Sequence, residues 1–294
     1  MKQEKYLVWH IDGGLGKHVA ATSLCSSIKE QYPDRKLIMV VGHPEIFLNN
    51  PNVDRVYFSG NIPYFYDDYI KDKDTLVFKH EVYNQTNHIH RKNHLIESWC
   101  EILNLSYQNQ LPRIYVNASH KQLVNKWARN KPIFLIQTNG GGLDSNGYSW
   151  ARDMPIEIAQ NIANRWMDTH HIIQVCNSNS PQIMGAEVVS NHMSNMELFS
   201  LIAASNKRLL IDSSLQHAAS AFNFPSVVLW VGTDPKVYGY DIHTNIKAKT
   251  PQNNIKLINS YLFDYNFANN THECPYFDAL EMFNPDLIDL ELRK

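Results

Sequence analysis

The feature that most limits what this chain can fold into is an alternation of short apolar runs with helical patterns, each run stopped by glycine or small polar residues. It is clearest over residues 205–240. There Leu209-Leu210-Ile211 runs into Asp212-Ser213-Ser214, and a helix of small residues begins at once. A second apolar run, Val227-Val228-Leu229-Trp230, then ends in Gly232-Thr233-Asp234-Pro235. Two strand ends therefore meet beside one helix N-terminus, where doubly wound folds bind ligands. Ser213 or Ser214 can cap that helix, and the free amides after it, with the helix dipole, suit a phosphate. His217, in the first turn, adds a donor or a positive charge on one view and is an ordinary buried histidine on the other.

The same alternation marks two further places. Tyr6-Leu7-Val8-Trp9 leads into Asp12-Gly13-Gly14-Leu15-Gly16, with Val19, Leu24 and Ile28 following at helical spacing. Ile133-Phe134-Leu135-Ile136 leads into Asn139-Gly140-Gly141-Gly142, followed by Ile156, Ile158, Ala159, Ile162 and Trp166. Further strands are expected over Lys36–Val41, Val53–Phe58, Thr75–Phe78, Ile172–Val175, Arg208–Ile211 and Ser226–Trp230. Short strands alternating with helices predict an α/β fold with parallel sheets, here two Rossmann-like doubly wound domains facing one another. The boundary is expected near Asn117, before a helix over Ser119–Arg129, giving domains 1–117 and 118–294, the second with a helical C-terminal tail.

Bulk composition narrows the function classes. Hydrophobic residues make up 44% of 294 residues and charged residues 19%, with a net charge of -2, which argues against an overall basic nucleic-acid binder. The four cysteines, Cys25, Cys100, Cys176 and Cys274, form no CxxC pair and are expected to be reduced thiols. No apolar run approaches membrane-spanning length, and no signal-peptide core follows the N-terminus; the expectation is a cytoplasmic protein.

The run Gly13-Gly14-Leu15-Gly16-Lys17 is neither a Walker A loop nor a dinucleotide fingerprint. The first would need Gly at Ile11 and Ser or Thr at His18; the second would need a third Gly at Val19. What remains is a turn that lets a ligand approach the backbone, or a tight strand-to-helix turn with no ligand. His80, His88, His90 and His94 form a cluster without a common zinc spacing, so a polar loop is favoured over a metal site. Before the helix at Pro155, Arg152 suits a phosphate and Trp150 suits stacking on a base or sugar.

Taken together these residues resemble glycosyltransferase family 9, which contains the ADP-heptose:lipopolysaccharide heptosyltransferases. The family signature Asp-Ser/Thr-Gly-x-x-His, followed by Ala-Ala, is echoed by Asp212-Ser213-Ser214-Leu215-Gln216-His217-Ala218-Ala219, and its later turn by Gly232-Thr233-Asp234-Pro235. Weaker echoes are Gly16 and Thr22 of the N-terminal signature, Trp150 to Pro155, and His94-Leu95-Ile96-Glu97. The chain departs from the family at Lys17, which stands where the family has its presumed catalytic Asp, and at Ser214, which replaces a glycine. This resembles a divergent branch.

The resemblance implies the GT-B architecture, with two Rossmann-like domains facing across a cleft. It also implies an inverting, metal-independent transfer of sugar from a nucleotide-diphosphate sugar to an acceptor hydroxyl, without a cofactor. The C-terminal domain is expected to hold the pyrophosphate on the amides of Ser213, Ser214, Leu215 and Gln216, with Asp212, Asn139, Gly140 and Trp150 around it and Arg152 or His217 as the cation. Gly13, Gly14, Gly16 and Lys17 are expected to border the ligand from the N-terminal domain. Asp12, held ionised by Lys17, or else His18, is expected to be the base. A glycan acceptor is favoured over hydroxymethylated DNA of the kind some phage enzymes modify. Two further readings stay open: a sugar-nucleotide epimerase of the same fold, and a non-catalytic relative that binds a nucleotide sugar.

Overall fold

The computed structural model describes residues 4–140, 149–190, 193–250, 274 and 276–294. Gly141 and Gly142, part of the second glycine turn, lie outside these residues. The chain forms two compact units, Met1–Asn117 and Ala118–Lys294.

The first unit is a four-stranded parallel sheet built from β1 (Lys5–Ile11), β2 (Lys36–Val41), β3 (Arg55–Phe58) and β4 (Asp74–Phe78), in the order β3-β2-β1-β4. β1 and β2 are almost continuously buried, as central strands covered on both faces must be. After β1 the chain turns into α1 (Leu15–Ala21), which continues through a single tight 3₁₀ turn into α2 (Cys25–Gln31). The hydroxyls of Thr22 and Ser23 donate back to the carbonyls of Val19 and Ala20, at 2.6 and 2.8 Å, within that tightening. α3 (Phe65–Tyr69) covers one sheet face, where Phe65 and Tyr69 pack with Tyr6, Val8, Ile38 and Val40. After β4 come the short α4 (Thr86–Ile89) and then α5 (Leu95–Leu103), which buries Trp99 edge-on against Trp9, ring centroids 5.8 Å apart. The imidazole of His94 caps α5 by accepting from the amide of Ile96.

The second unit begins with α6 (Ala118–Asn125) and carries a six-stranded parallel sheet. Its strands are β5 (Ile133–Gln137), β6 (His171–Cys176), β7 (Glu187–Ser190), β8 (Lys207–Ile211), β9 (Val227–Trp230) and β10 (Thr244–Lys247), in the order β10-β9-β8-β5-β6-β7. Counted from β5, this is the order 3-2-1-4-5-6 of the dinucleotide-binding fold, with its switch point between β5 and β8. α7 (Ile156–Trp166) buries Ile158, Ala159, Ile162, Ala163 and Trp166, the stripe that its periodicity predicts. The C-terminal helix Pro285–Arg293 packs Ile288 and Leu292 into the same core, and Asp289 accepts a 2.8 Å bond from the indole of Trp166. α8 (Asn195–Ala204) starts in a capping box of Ser194 and Glu197. α9 (Ser214–Ala221) and the one-turn α10 (Pro235–Tyr238) follow β8 and β9.

One expectation is corrected, and two strands are added to those expected. The helix before β5 stops at Asn125, because Trp127 and Ala128 donate to carbonyls three residues back, and Arg129 turns away to bind Glu187 at 2.8 Å. Strands β7 and β10 fall outside the apolar runs that mark the others, since both are short edge strands with polar ends.

One buried polar side chain knits the C-terminal edge of the second sheet. Gln174, with 0% exposure, donates to Thr138 Oγ1 (2.9 Å) and Pro181 O (3.1 Å) and accepts from Ile183 N (2.7 Å). Gln174→Leu fills the space but strands those partners, so urea unfolding is expected to show a loss of about 1–3 kcal/mol. An unchanged midpoint would mean that these bonds contribute nothing net.

Candidate functional site

At the switch point of the second unit, Gln137 ends β5 and donates through Nε2 to Ser213 Oγ at 2.6 Å and to Asn139 O at 3.0 Å. Ser213 is the N-cap of α9, and its Oγ faces the amide of Leu215 at 3.5 Å. Gly140 lies against this corner. A Cβ added there would sit 3.3 Å from Arg152 Nε and 3.6 Å from the Cβ of Ser213. Arg152 Nε in turn donates to the carbonyl of Asp212 at 2.6 Å.

Asp153 holds the surrounding segments. It is 2% exposed and accepts from Asn139 Nδ2 (3.1 Å), Gly140 N (3.0 Å) and Ser149 N (2.9 Å). The segment it anchors is fixed from the other side by Gly232, whose amide donates to Ala151 O at 2.7 Å. A Cβ at position 232 would meet that carbonyl at 2.8 Å, so only glycine is accommodated. Trp150 packs partly buried against the core.

The structure thus brings Asn139, Gly140, Arg152, Asp212, Ser213 and the start of α9 together. The side chains of Leu215, Gln216 and His217 point inward. His217 Nδ1 lies 2.8 Å from the hydroxyl of Tyr240, with the rings edge to face. The side chain of Gln216 donates to Tyr238 O at 3.0 Å, and its backbone carbonyl accepts from His243 Nε2 at 2.9 Å. Beside Thr138 and Asn139 opens a cavity of about 540 Å³, walled by Met154, Ile156, Tyr276 and Met282. That volume falls within the range of small-molecule sites. Sequence reading missed Gln137, Asp153 and Tyr276. A carboxylate next to Arg152 was the available signal for Asp153, whereas the remaining two emerge only with the strand order.

In the first unit the glycine loop stands at the switch point between β1 and β4. Gly13 adopts φ 98°, a left-handed conformation that side chains disfavour. Gly14 caps α1 through its backbone, and Gly16 lies within that helix. Lys17 places Nζ 2.6 Å from both oxygens of Glu81 and 4.9 Å from the centroid of Tyr83, with its side chain only 5% exposed. The expectation that Lys17 holds Asp12 is therefore corrected. Asp12 instead has its own partners, Ser59 Oγ at 3.2 Å and His10 Nε2 at 3.4 Å, and its side chain remains 59% exposed.

His18, the second base candidate, has no exposed surface. Its Nδ1 donates to Gly14 O at 2.9 Å, and its Nε2 lies 3.0 Å from both Gly42 N and Ile11 O. A base must present a nitrogen to its substrate, and this ring is spent on the loop backbone. The histidines of 80–94 do not act as one group either: His88 is buried beside Tyr83 and His94 caps α5. Among the described residues no three His, Cys, Asp or Glu side chains gather as a metal set.

Burial also sets a pH dependence. Desolvation lowers the pKa of His18 and pushes His88 and His243 down to about 4. Unfolding restores values near 6.5, so at intermediate pH the unfolded chain binds more protons and stability rises with pH. The stabilisation is complete above about 6.5 and is lost as pH falls toward about 4. Urea midpoints measured from pH 7.5 to 4.5 are expected to fall, less steeply in His243→Gln than in the parent chain. A parallel slope in the variant would exclude His243 as a contributor.

No family model matches the chain, and no curated protein matches it in sequence. Solved structures do match it in fold. The glycosyl transferase family 9 structure from Veillonella parvula aligns over 100% of this chain and 97% of its own, with a TM-score of 0.67 and 10% identity. E. coli ADP-heptose LPS heptosyltransferase II aligns over 88% of this chain and 94% of its own, at TM-score 0.63 and 13% identity. E. coli heptosyltransferase WaaC with ADP covers 83% and 93%, at TM-score 0.55 and 12% identity. The two parallel sheets with their helices form the α/β architecture of these GT-B glycosyltransferases.

Proposed function

We propose that the chain is a divergent, heptosyltransferase-like member of glycosyltransferase family 9 that moves a sugar from a nucleotide-diphosphate sugar to a hydroxyl of a glycan. The observation that carries this reading is the corner of Gly140, Arg152 and the capped N-terminus of α9 at the switch point of a 3-2-1-4-5-6 sheet. Backbone amides, a helix dipole and a guanidinium suit a diphosphate. The cavity beside Asn139 suits the nucleoside. Structural likeness to heptosyltransferases, one of them solved with ADP, supports an ADP-sugar donor.

The chemistry is displacement at an anomeric carbon that gains positive charge as the leaving group departs. The acceptor oxygen forms the new bond on the face opposite the diphosphate, inverting the centre. The electron pair of the breaking bond goes to the terminal phosphate oxygen, where α9 and Arg152 stabilise it without a metal. The hydroxyl proton goes to a carboxylate, and Asp12, exposed at the end of β1, takes that role.

The test is incubation with ADP-heptose, ADP-glucose and UDP-glucose, with and without a lipopolysaccharide-core oligosaccharide, followed by NMR of the anomeric product. Asp12→Asn is expected to lower transfer by about 10²-fold with donor affinity unchanged. Isomerised donor without acceptor would identify an epimerase instead, and tight binding without turnover a binding protein. Strict dependence on a divalent cation would refute the metal-free clamp.

A further inference from the structure

Asp12 does not stand alone at the end of the first sheet. Strand alternation puts Tyr6, Val8, His10 and Asp12 on one face of β1, and the register of β1 with β2 and of β2 with β3 carries Ser59 onto the same row. The amide of Ser59 donates to Val41 O at 2.8 Å, which extends the pairing one residue past β3 and fixes the serine. Three polar side chains then converge: Ser59 Oγ lies 3.0 Å from His10 Nε2 and 3.2 Å from Asp12 Oδ1, and His10 Nε2 lies 3.4 Å from Asp12 Oδ1.

The bond directions follow from donor inventory. An ionised carboxylate only accepts, so the single hydroxyl proton of Ser59 points at Asp12 Oδ1. The serine oxygen must then accept from His10, which requires the Nε2–H tautomer. The set does not activate Ser59 as a nucleophile. That would need the imidazole to take the serine proton and to hold the carboxylate through its second nitrogen. Here the proton runs toward the carboxylate, and one imidazole nitrogen faces both partners. Among the described residues, Asp12 Oδ2 has no hydrogen-bond partner.

We propose that His10 and Ser59 are positioning residues that hold Asp12 through Oδ1 and leave Oδ2 to take the proton of the acceptor hydroxyl. This rests on the transferase reading above. Proton balance is simple: the acceptor oxygen keeps its electron pair for the new bond, its proton moves to Oδ2, and the departing diphosphate carries off the pair of the broken bond. The exposed carboxylic acid then releases its proton to water. The charges that act on His10 are Asp12, which favours its protonation, and Lys79 and Lys17, which oppose it alongside burial.

The experiment has two arms on the full chain. In the first, long-range ¹H–¹⁵N NMR is expected to show His10 as the Nε2–H tautomer at pH 7, with its titration midpoint lowered in Asp12→Asn because a favourable charge is gone. An Nδ1–H tautomer, or a midpoint indifferent to Asp12, overturns the relay. In the second, ADP release from ADP-heptose is followed with a lipopolysaccharide-core oligosaccharide as acceptor. Ser59→Ala and His10→Ala are expected to lower kcat about 5- to 20-fold with the KM for donor unchanged, and His10→Gln, whose amide can donate, to recover most of that loss. In an Asp12→Asn background Ser59→Ala is expected to change kcat less than about twofold. Full multiplicativity there, or equal losses in His10→Ala and His10→Gln, overturns the positioning role. A wild-type chain that turns over no sugar nucleotide overturns the transferase reading and the catalytic purpose of the relay together, while the NMR arm decides separately whether the relay exists.

Discussion

The carboxylate of Asp153 is the interaction on which the second unit's site depends. It gathers Asn139 and Gly140 from the end of β5 and Ser149 from the segment before α7, all onto one buried anion. A buried charge is costly unless its oxygens are met, and here three N–H groups meet them. Removing the carboxyl group strands those donors, so the geometry of Gly140 and Arg152 against α9 is inherited from Asp153.

The scaffold was legible because parallel strands buried on both faces write themselves as unbroken apolar runs. Ile133–Ile136, Leu209–Ile211 and Val227–Trp230 could hardly be anything else in a chain with helical patterns between them. Strands β7 and β10, Glu-Val-Val-Ser and Thr-Asn-Ile-Lys, lie at the sheet edges and carry polar ends, so they lacked that signal. The site was legible only in part, for a reason of distance. Gln137 and Ser213 are separated by 76 residues, Lys17 and Glu81 by 64, and Asp12 and Ser59 by 47. Local pattern identifies the turns that bring such groups near one another, but says nothing of which side chain completes which pair.

That gap explains the fate of the charges around the glycine loop. Lys17 looked like a cation for a ligand or for Asp12, yet its ammonium is buried and met by Glu81 from the far side of the switch point. A buried ammonium needs a partner of this kind, and a short reach to one was available. His18 went the same way: three backbone positions, Ile11, Gly14 and Gly42, surround its two nitrogens. Residues with the chemistry of catalysis here build the loop, and the exposed Asp12 is left facing solvent.

Gly232 illustrates how such a fold constrains its own sequence drift. It sits in a turn after β9, remote in sequence from the segment it touches, yet the carbonyl of Ala151 occupies the place where any side chain would begin. Ala151 is two residues from Asp153. A larger residue at 232 would therefore be felt first as a displaced hydrogen-bond acceptor near the buried carboxylate and only afterwards as a change in its own turn. Across descendants of this chain, position 232 should therefore stay glycine whatever residue stands at 151, because the obstacle is the backbone carbonyl and no change of side chain removes it.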